Sequence, residues 1–270
     1  MKNKIFTGLL LFWTLGPLIW QCYSSFSTPE NLIEPFANHQ NRWTLENYFL
    51  LFSSNPPFYI YIINSTIVAS LSTILTLLLS IPASYILARS NKKVAVFTRI
   101  YLLSAALFPY VLLFLALLEI ARNFNLGNNL LALCIPYSAL SMPLAILLLS
   151  SSFQQLPKEI EEAAIVEGFS FWQRLKWILV PLISPTVAST SLLIFIFCWN
   201  EYPIALTWIS KTTLLTLPVA IARIAGSSVY SIPYGSFAAA TVIGSLPLLL
   251  IVLIFQKQII SGLTQGAIKG

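Results

Sequence analysis

The chain has 270 residues, of which 57% are hydrophobic and 9% charged, and it carries a net charge of +6. Soluble domains carry roughly 25% charged residues, so this composition excludes an ordinary soluble globular protein and points to a membrane protein. There is no aspartate and only one histidine, His39, which leaves no histidine-based metal or catalytic cluster to assemble.

Spanning a bilayer takes about 20 mostly apolar residues, and six such runs occur, at about 5–22, 58–81, 99–118, 129–150, 177–200 and 237–256. The first follows Lys2 and Lys4 but lacks a small-x-small cleavage site, so it reads as a retained span, not a signal peptide. The loop 24–57 is polar and holds four prolines. Within it WTLENYFLLF reads as a short helix lying at the membrane surface. Pro82, Pro109, Pro136 and Pro143 fall in or near spans, where neighbouring helices can satisfy the freed carbonyls, and kinks are expected there. Between the fifth and sixth runs, LLTLPVAIARIAG is apolar but too short to cross, which suggests a half-buried or re-entrant segment followed by an exposed loop, AGSSVYSIPYG. Cys22, Cys134 and Cys198 stand singly in apolar runs and read as small buried hydrophobes.

Loop charge sets orientation. With the N-terminus in the cytoplasm, the cytoplasmic side receives eleven basic residues: Lys2, Lys4, Arg89, Lys92, Lys93, Arg99, Lys158, Arg174, Lys176, Lys257 and Lys269. The outer side receives four: Arg42, Arg122, Lys211 and Arg223. Basic residues placed between apolar runs report topology and give no reason to invoke nucleic acid. Both termini are therefore expected in the cytoplasm of a multi-pass protein of the cell inner membrane.

The most informative stretch is a polar island between the fourth and fifth runs, at 156–181: LPKEIEEAAIVEGFSFWQRLKWILVP. Four of the nine acidic residues lie here, Glu159, Glu161, Glu162 and Glu167. Pro157 suits a first helical turn, and the glutamates after it lie near the positive end of the helix dipole. Gly168 can take the left-handed C-terminal conformation, and Ser170 with Gln173 reads as a capping box opening a second helix. The spacing thus predicts a short acidic helix with a small-residue face, then a sharp turn, a shape suited to docking in a groove of another protein.

Glu162-Ala163-Ala164, three residues, Gly168, nine residues, then Ile178 and Pro181 resemble the EAA loop of ABC importer permeases. Every fixed position matches except one leucine, here Val180. Asn64-Ser65 at the second run, Trp199-Asn200-Glu201 in the fifth and the ending GLTQGAIKG extend the resemblance over residues 43–270. They make the chain similar to the shorter of the two permease subunits of the carbohydrate, maltose-type, branch. The resemblance implies that Glu161, Glu162, Ala163, Ala164, Gly168 and Pro181 form an ATPase-coupling loop whose first helix enters a cleft of the ATPase. It implies a second ATPase contact at the tail, through Gly262, Gly266 and Lys269. It further implies an outer loop, Ser227, Ser228 and Tyr230, that reaches the extracytoplasmic solute-binding protein.

No GxxxxGK[ST] phosphate loop occurs, and no Ser/His/Asp or Cys/His set can be built. The chain is expected to be non-catalytic, without a metal or cofactor of its own, ATP and Mg being held by the partner ATPase. Glu201 is the one carboxylate within a span, and a charge facing hydrocarbon there costs about 3 kcal/mol or more. Two readings stay open for it. With Asn64, Trp199, Asn200 and Tyr202 it could line a sugar path, combining stacking faces with hydrogen-bonding groups. Or it could be a packing brace near the interface, where Trp and Tyr are common.

The reading is an all-α membrane protein, a single permease domain over 1–270 with six transmembrane helices and a cytoplasmic EAA coupling helix. Its function would be half of the translocation path of an ATP-driven ABC importer for a sugar or sugar-like solute. Its partners would be a second permease, two ATPase subunits, the solute-binding protein and the lipid bilayer. The alternative is a secondary transporter or channel working without an ATPase, but only Glu201 and Glu119 could couple ions. A membrane scaffold without transport leaves the EAA spacing unexplained.

Overall fold

The computed structural model describes residues 2–33, 43–224 and 233–267. Among the described residues there is no strand, only a single antiparallel bridge between Ser27 and Trp43. The helices in order are α1 (Lys2–Ser25), α2 (Pro29–Ile33), α3 (Glu46–Ser53), α4 (Tyr59–Arg89), α5 (Lys92–Leu107), α6 (Phe114–Asn123), α7 (Cys134–Gln155), α8 (Lys158–Val166), α9 (Phe171–Arg174), α10 (Val180–Leu182), α11 (Ser184–Asn200), α12 (Pro203–Trp208), α13 (Leu217–Ile224) and α14 (Tyr234–Ala267).

Among the described residues, three helical stretches are long and apolar enough to cross a membrane: Tyr59–Arg89, Leu130–Gln155 and Tyr234–Gln256. Two bent pairs, each taken as one span, raise this to five. The 24-residue α1 is a single helix but is not among them, so six plain spans are not what the described residues contain. The third and fifth runs depart most from expectation. Residues 99–118 are split at Phe108, whose ψ of 132° is extended, because a residue before proline is pushed out of the helical region. Pro109 follows, and the chain bends by 79° between Lys92–Leu107 and Tyr110–Asn123. The run 177–200 is cut at Ile183, with an 87° bend between Phe171–Leu182 and Ser184–Asn200. Residues 177–182 therefore belong to the loop helix and the membrane helix starts at Ser184, with Pro185 in its first turn, where no backbone donor is needed. The expected short helix in the first loop is α3. Cys22 is exposed, unlike the expectation for it, while Cys134 and Cys198 are buried.

The chain forms two compact units, residues 1–64 with 211–249, and residues 65–210 with 250–270. In the first, Asn47 donates to the carbonyls of Ser25 and Ser27 at 3.0 and 3.1 Å. Gly235 passes so close that an added Cβ would lie 2.5 Å from Asn47 Nδ2, so glycine is required by space.

The second unit is organised around α7, whose Tyr137, Leu149 and Phe153 are fully buried. Facing it, α4 presents Ser72, Thr76, Ser80 and Ser84, a stripe at a spacing of four with no solvent exposure. Small side chains let membrane helices approach closely. Here Ser138 of α7 donates to the Ser72 carbonyl at 3.1 Å. At the end of the unit nearest the polar loop, Leu149, Phe153, Leu175, Leu179 and Ile183 form an apolar core, bordered by Leu77, Ile81 and Tyr85 of α4.

Ser80 Oγ is buried without a hydrogen-bond partner, so its contribution is its size. Ser80→Ala should leave the melting temperature of the solubilised protein unchanged or raised. Ser80→Leu should lower stability by about 1–3 kcal/mol through overpacking. Thermal denaturation of the two variants side by side checks this.

Candidate functional site

The loop 156–181 folds as its spacing predicts. Leu156 is extended, ψ 131°, and Pro157 stands one place outside α8, as its N-cap, not inside the first turn. Glu159 and Glu161 occupy that first turn, at the positive end of the helix dipole. The helix closes with Phe169 N–H donating to the Ala164 carbonyl and Gly168 N–H to that of Ile165, both at 3.0 Å, a Schellman termination. Gly168 has φ +83° and nothing within 4 Å of a notional Cβ, so glycine is required by conformation and not by space. Ser170 and Gln173 form the reciprocal capping box that opens α9. The helix then widens into a π turn over Leu175–Leu179. Pro181, which has no N–H to donate to the carbonyl four residues earlier, follows that π turn, and the helix ends at Leu182.

The faces of α8 are sharply different. Glu161, 8% exposed, and Ala164 turn inward. Glu159, Glu162, Ala163, Ile165, Val166, Glu167 and Gly168 are exposed, with Val166 at 88%. Of the six expected coupling residues, Glu162, Ala163, Gly168 and Pro181 are thus open to a partner. Glu161 and Ala164 are instead directed into this chain. The reason for Glu161 lies on α4. Arg89 Nε donates to Glu161 Oε1 at 2.7 Å and Arg89 Nη2 to the same oxygen. Tyr85 Oη donates to Glu161 Oε2 at 3.1 Å. Arg89 Nη2 also donates to the Leu156 carbonyl at 3.1 Å, one of the orphan acceptors at the end of α7. Sequence reasoning missed Arg89 and Tyr85. The available signal was a lone arginine closing a long apolar run.

Trp199, Asn200, Glu201 and Tyr202 are consecutive at the end of α11, but their surroundings differ. Trp199 is buried and stacks on Phe195, with ring centroids 5.7 Å apart. Asn200 is exposed and donates to the carbonyl of Ile196 in its own helix at 2.8 Å. Tyr202 is half-buried. Glu201 is only 2% exposed. Its Oε2 accepts from Tyr137 Oη at 2.5 Å and from Ala205 N–H at 3.1 Å, and its Oε1 accepts from Ile204 N–H at 2.9 Å. It therefore caps α12, satisfying donors that have no intrahelical partner, and ties that helix to α7. Of the two readings of Glu201, this geometry supports the brace. Asn64 donates to the carbonyls of Thr213 and Leu215 at 3.0 and 2.9 Å, holding the irregular backbone ahead of α13, itself too short at eight residues to cross a bilayer.

Ser227, Ser228 and Tyr230 lie outside the described residues, as does Lys269. Gly262 and Gly266 fall within α14, which continues to Ala267. Among the described residues no group of three His, Cys, Asp or Glu is placed to hold a metal.

Comparison with known proteins places this architecture. Residues 80–265 match the family model for the binding-protein-dependent transport system inner membrane component. The chain is 37% identical to the sulfoquinovosyl glycerol transport system permease protein SmoH of Agrobacterium fabrum, covering 98% of this chain and 93% of that one. It is 39% identical to the trehalose/maltose transport system permease protein MalG of Thermococcus litoralis, covering 95% and 92%. In fold it is similar to a chain from the crystal structure of a bacterial ABC transporter involved in import of the acidic polysaccharide alginate. That match has a TM-score of 0.77 at 19% identity and covers 94% of each chain.

A brace and a path-lining group respond differently to substitution. In the isolated protein Glu201→Cys should stay unreactive toward a water-soluble thiol reagent. Glu201→Ala, which orphans two buried N–H groups and a tyrosine hydroxyl, should cost about 3 kcal/mol. Rapid labelling at position 201, with thermal stability intact, would favour a water-filled path. At the loop, Gly168→Ala should destabilise by about 1 kcal/mol, the cost of a left-handed residue bearing a Cβ, measurable by thermal shift.

Proposed function

The chain belongs to the family of binding-protein-dependent transport system inner membrane components, and on that premise we propose that it is one permease subunit of an ATP-driven importer for a sugar or sugar-like solute. The observation that carries this reading is near full-length likeness to two permeases whose names specify a glycoside and disaccharides. In the membrane the chain contributes six helical passes: α1, four passes from the long helices and bent pairs, and α14. Both termini and α8 lie in the cytoplasm, as the eleven-to-four distribution of basic residues favours.

The work divides between chains. This one supplies half of the translocation path and has no catalytic step of its own; the partner ATPase binds ATP and Mg. The exposed face of α8, with Glu159 and Glu162 beside Ile165 and Val166, enters a cleft of the ATPase. Acidic groups there can meet basic side chains, and the small Ala163 permits close approach. A second, different permease completes the path, two ATPase subunits power it, and an extracytoplasmic solute-binding protein delivers the solute. The chain's outer loop, with Ser227, Ser228 and Tyr230, reaches that protein, and the end of α14, with Gly262, Gly266 and Lys269, meets the ATPase pair. Closure of the ATPases on ATP moves the docked helices and switches the cavity from inward to outward.

The test is reconstitution in liposomes. The chain with its partner permease and ATPase should hydrolyse ATP in response to loaded binding protein and import the solute. The chain alone should do neither. Gly168→Pro, which breaks the turn after α8, should abolish uptake while the protein stays in the membrane. Saturable uptake by the lone chain on a proton or sodium gradient would instead establish a secondary transporter.

A further inference from the structure

Among the described residues one salt bridge is formed, Arg89 with Glu161, and it joins the last residue of α4 to the inner face of α8, 72 positions later. Both oxygens of Glu161 are engaged by α4, one by the guanidinium and the other by Tyr85 one turn earlier. The Tyr85 ring in turn packs against Phe153 of α7 and Phe171 of α9, with centroids 5.7 and 5.6 Å away. Arg89 also holds the Leu156 carbonyl at the end of α7. Four helices thus meet on one cluster.

Stability alone does not call for this arrangement. A buried ion pair can often be replaced by apolar residues of similar volume without loss. What a forked guanidinium adds is a fixed relative geometry. A nine-residue helix such as α8 is too short to hold itself in water, so its orientation on the membrane helices is set by what grips its inner face.

We propose that Arg89, Tyr85 and Glu161 are positioning residues that make α8 and the end of α4 move as one body, so that a displacement imposed on the outer face of α8 is delivered to α4 and not absorbed by α8 tilting in place. The proposal rests on the reading that α8 docks on an ATPase. Without the clamp the docked helix still permits ATP hydrolysis, but the membrane helices no longer follow it.

The measurement is solute imported per ATP hydrolysed by the complete complex, normalised to the ATPase that co-purifies. Glu161→Gln keeps shape but loses charge, Arg89→Lys keeps charge but loses the fork, and Tyr85→Phe removes one hydrogen bond. Each should assemble and hydrolyse ATP, with the first two lowering the transport-to-hydrolysis ratio about tenfold, within the range of ordinary coupling effects, and Tyr85→Phe lowering it less. The deciding variant is the double replacement Arg89→Met with Glu161→Met, which refills the site with apolar volume. If the cluster positions α8, this complex assembles as stably as the unaltered one yet shows the same low ratio. If the cluster only holds the fold, the double variant restores the ratio, and the proposal is overturned. Should the charged single variants fail to assemble, the double variant and Tyr85→Phe still decide. An unaltered complex that loaded binding protein does not stimulate would count against the functional reading itself, a result distinct from failure of the clamp.

Discussion

Inside a bilayer a backbone N–H or C=O has no water to turn to, so every departure from helix must be satisfied by something else. This chain departs from helix repeatedly, and at several of those places a polar side chain takes up the freed backbone groups. Asn64 takes the carbonyls of Thr213 and Leu215. Glu201 takes the N–H groups of Ile204 and Ala205, and Asn129 those of Leu131 and Ala132 ahead of α7. Arg89 takes the Leu156 carbonyl where α7 gives way to the polar loop. Polar groups that look like candidates for solute contact are thus used on the protein's own backbone. In a chain only 9% charged, that leaves few strongly polar side chains within the described helices for any other task.

The same constraint divides what the sequence could reveal from what it could not. Local rules decide the polar loop, and there reading and structure agree closely. A proline, an acidic first turn, a glycine that must adopt positive φ and a capping box are each set by neighbours within four or five residues. The short helix of the first loop was legible for the same reason. The bends were not. Pro109 announced a possible kink, but a turn of 79° depends on which neighbours receive the two arms. At Ile183 the break sits inside a run whose hydropathy is continuous on both sides, so hydropathy alone places the start of the fifth span at 177 and not at Ser184. The inward aim of Glu161 was hidden because its partner lies on another helix, and the sequence distinguishes Glu161 from Glu162 only through the EAA spacing. The stripe of Ser72, Thr76, Ser80 and Ser84 was there to be read as a spacing of four, and Tyr137, the partner of Glu201, gave no local sign.

Together these features describe a helix built to be held on one side and offered on the other. Its inner face is gripped at Glu161 by Arg89 and by Tyr85, and Tyr85 borders the apolar core of Leu149, Phe153, Leu175, Leu179 and Ile183. Its outer face exposes Ile165 and Val166 next to glutamates. Exposed apolar side chains beside charge, on a short rigid element outside the apolar runs, are what a docking surface requires. Between α8 and the membrane helix that follows lie the turn at Gly168 and an 87° bend after Leu182, so a push on α8 is not simply carried along one helix axis. It passes to the bundle through side chains.

On the proposed function, the outer face of α8, and not its inner face, meets the ATPase. This is tested most directly by placing single cysteines at positions 159–167 after replacing Cys22, Cys134 and Cys198. Labelling by a membrane-impermeant thiol reagent is then compared in inside-out vesicles with and without the assembled ATPase. Positions 162, 163, 165 and 166 should label freely without the ATPase and become protected with it, while 161 and 164 stay unlabelled in both. Labelling at 162, 163, 165 and 166 that is unchanged by the ATPase would contradict the account.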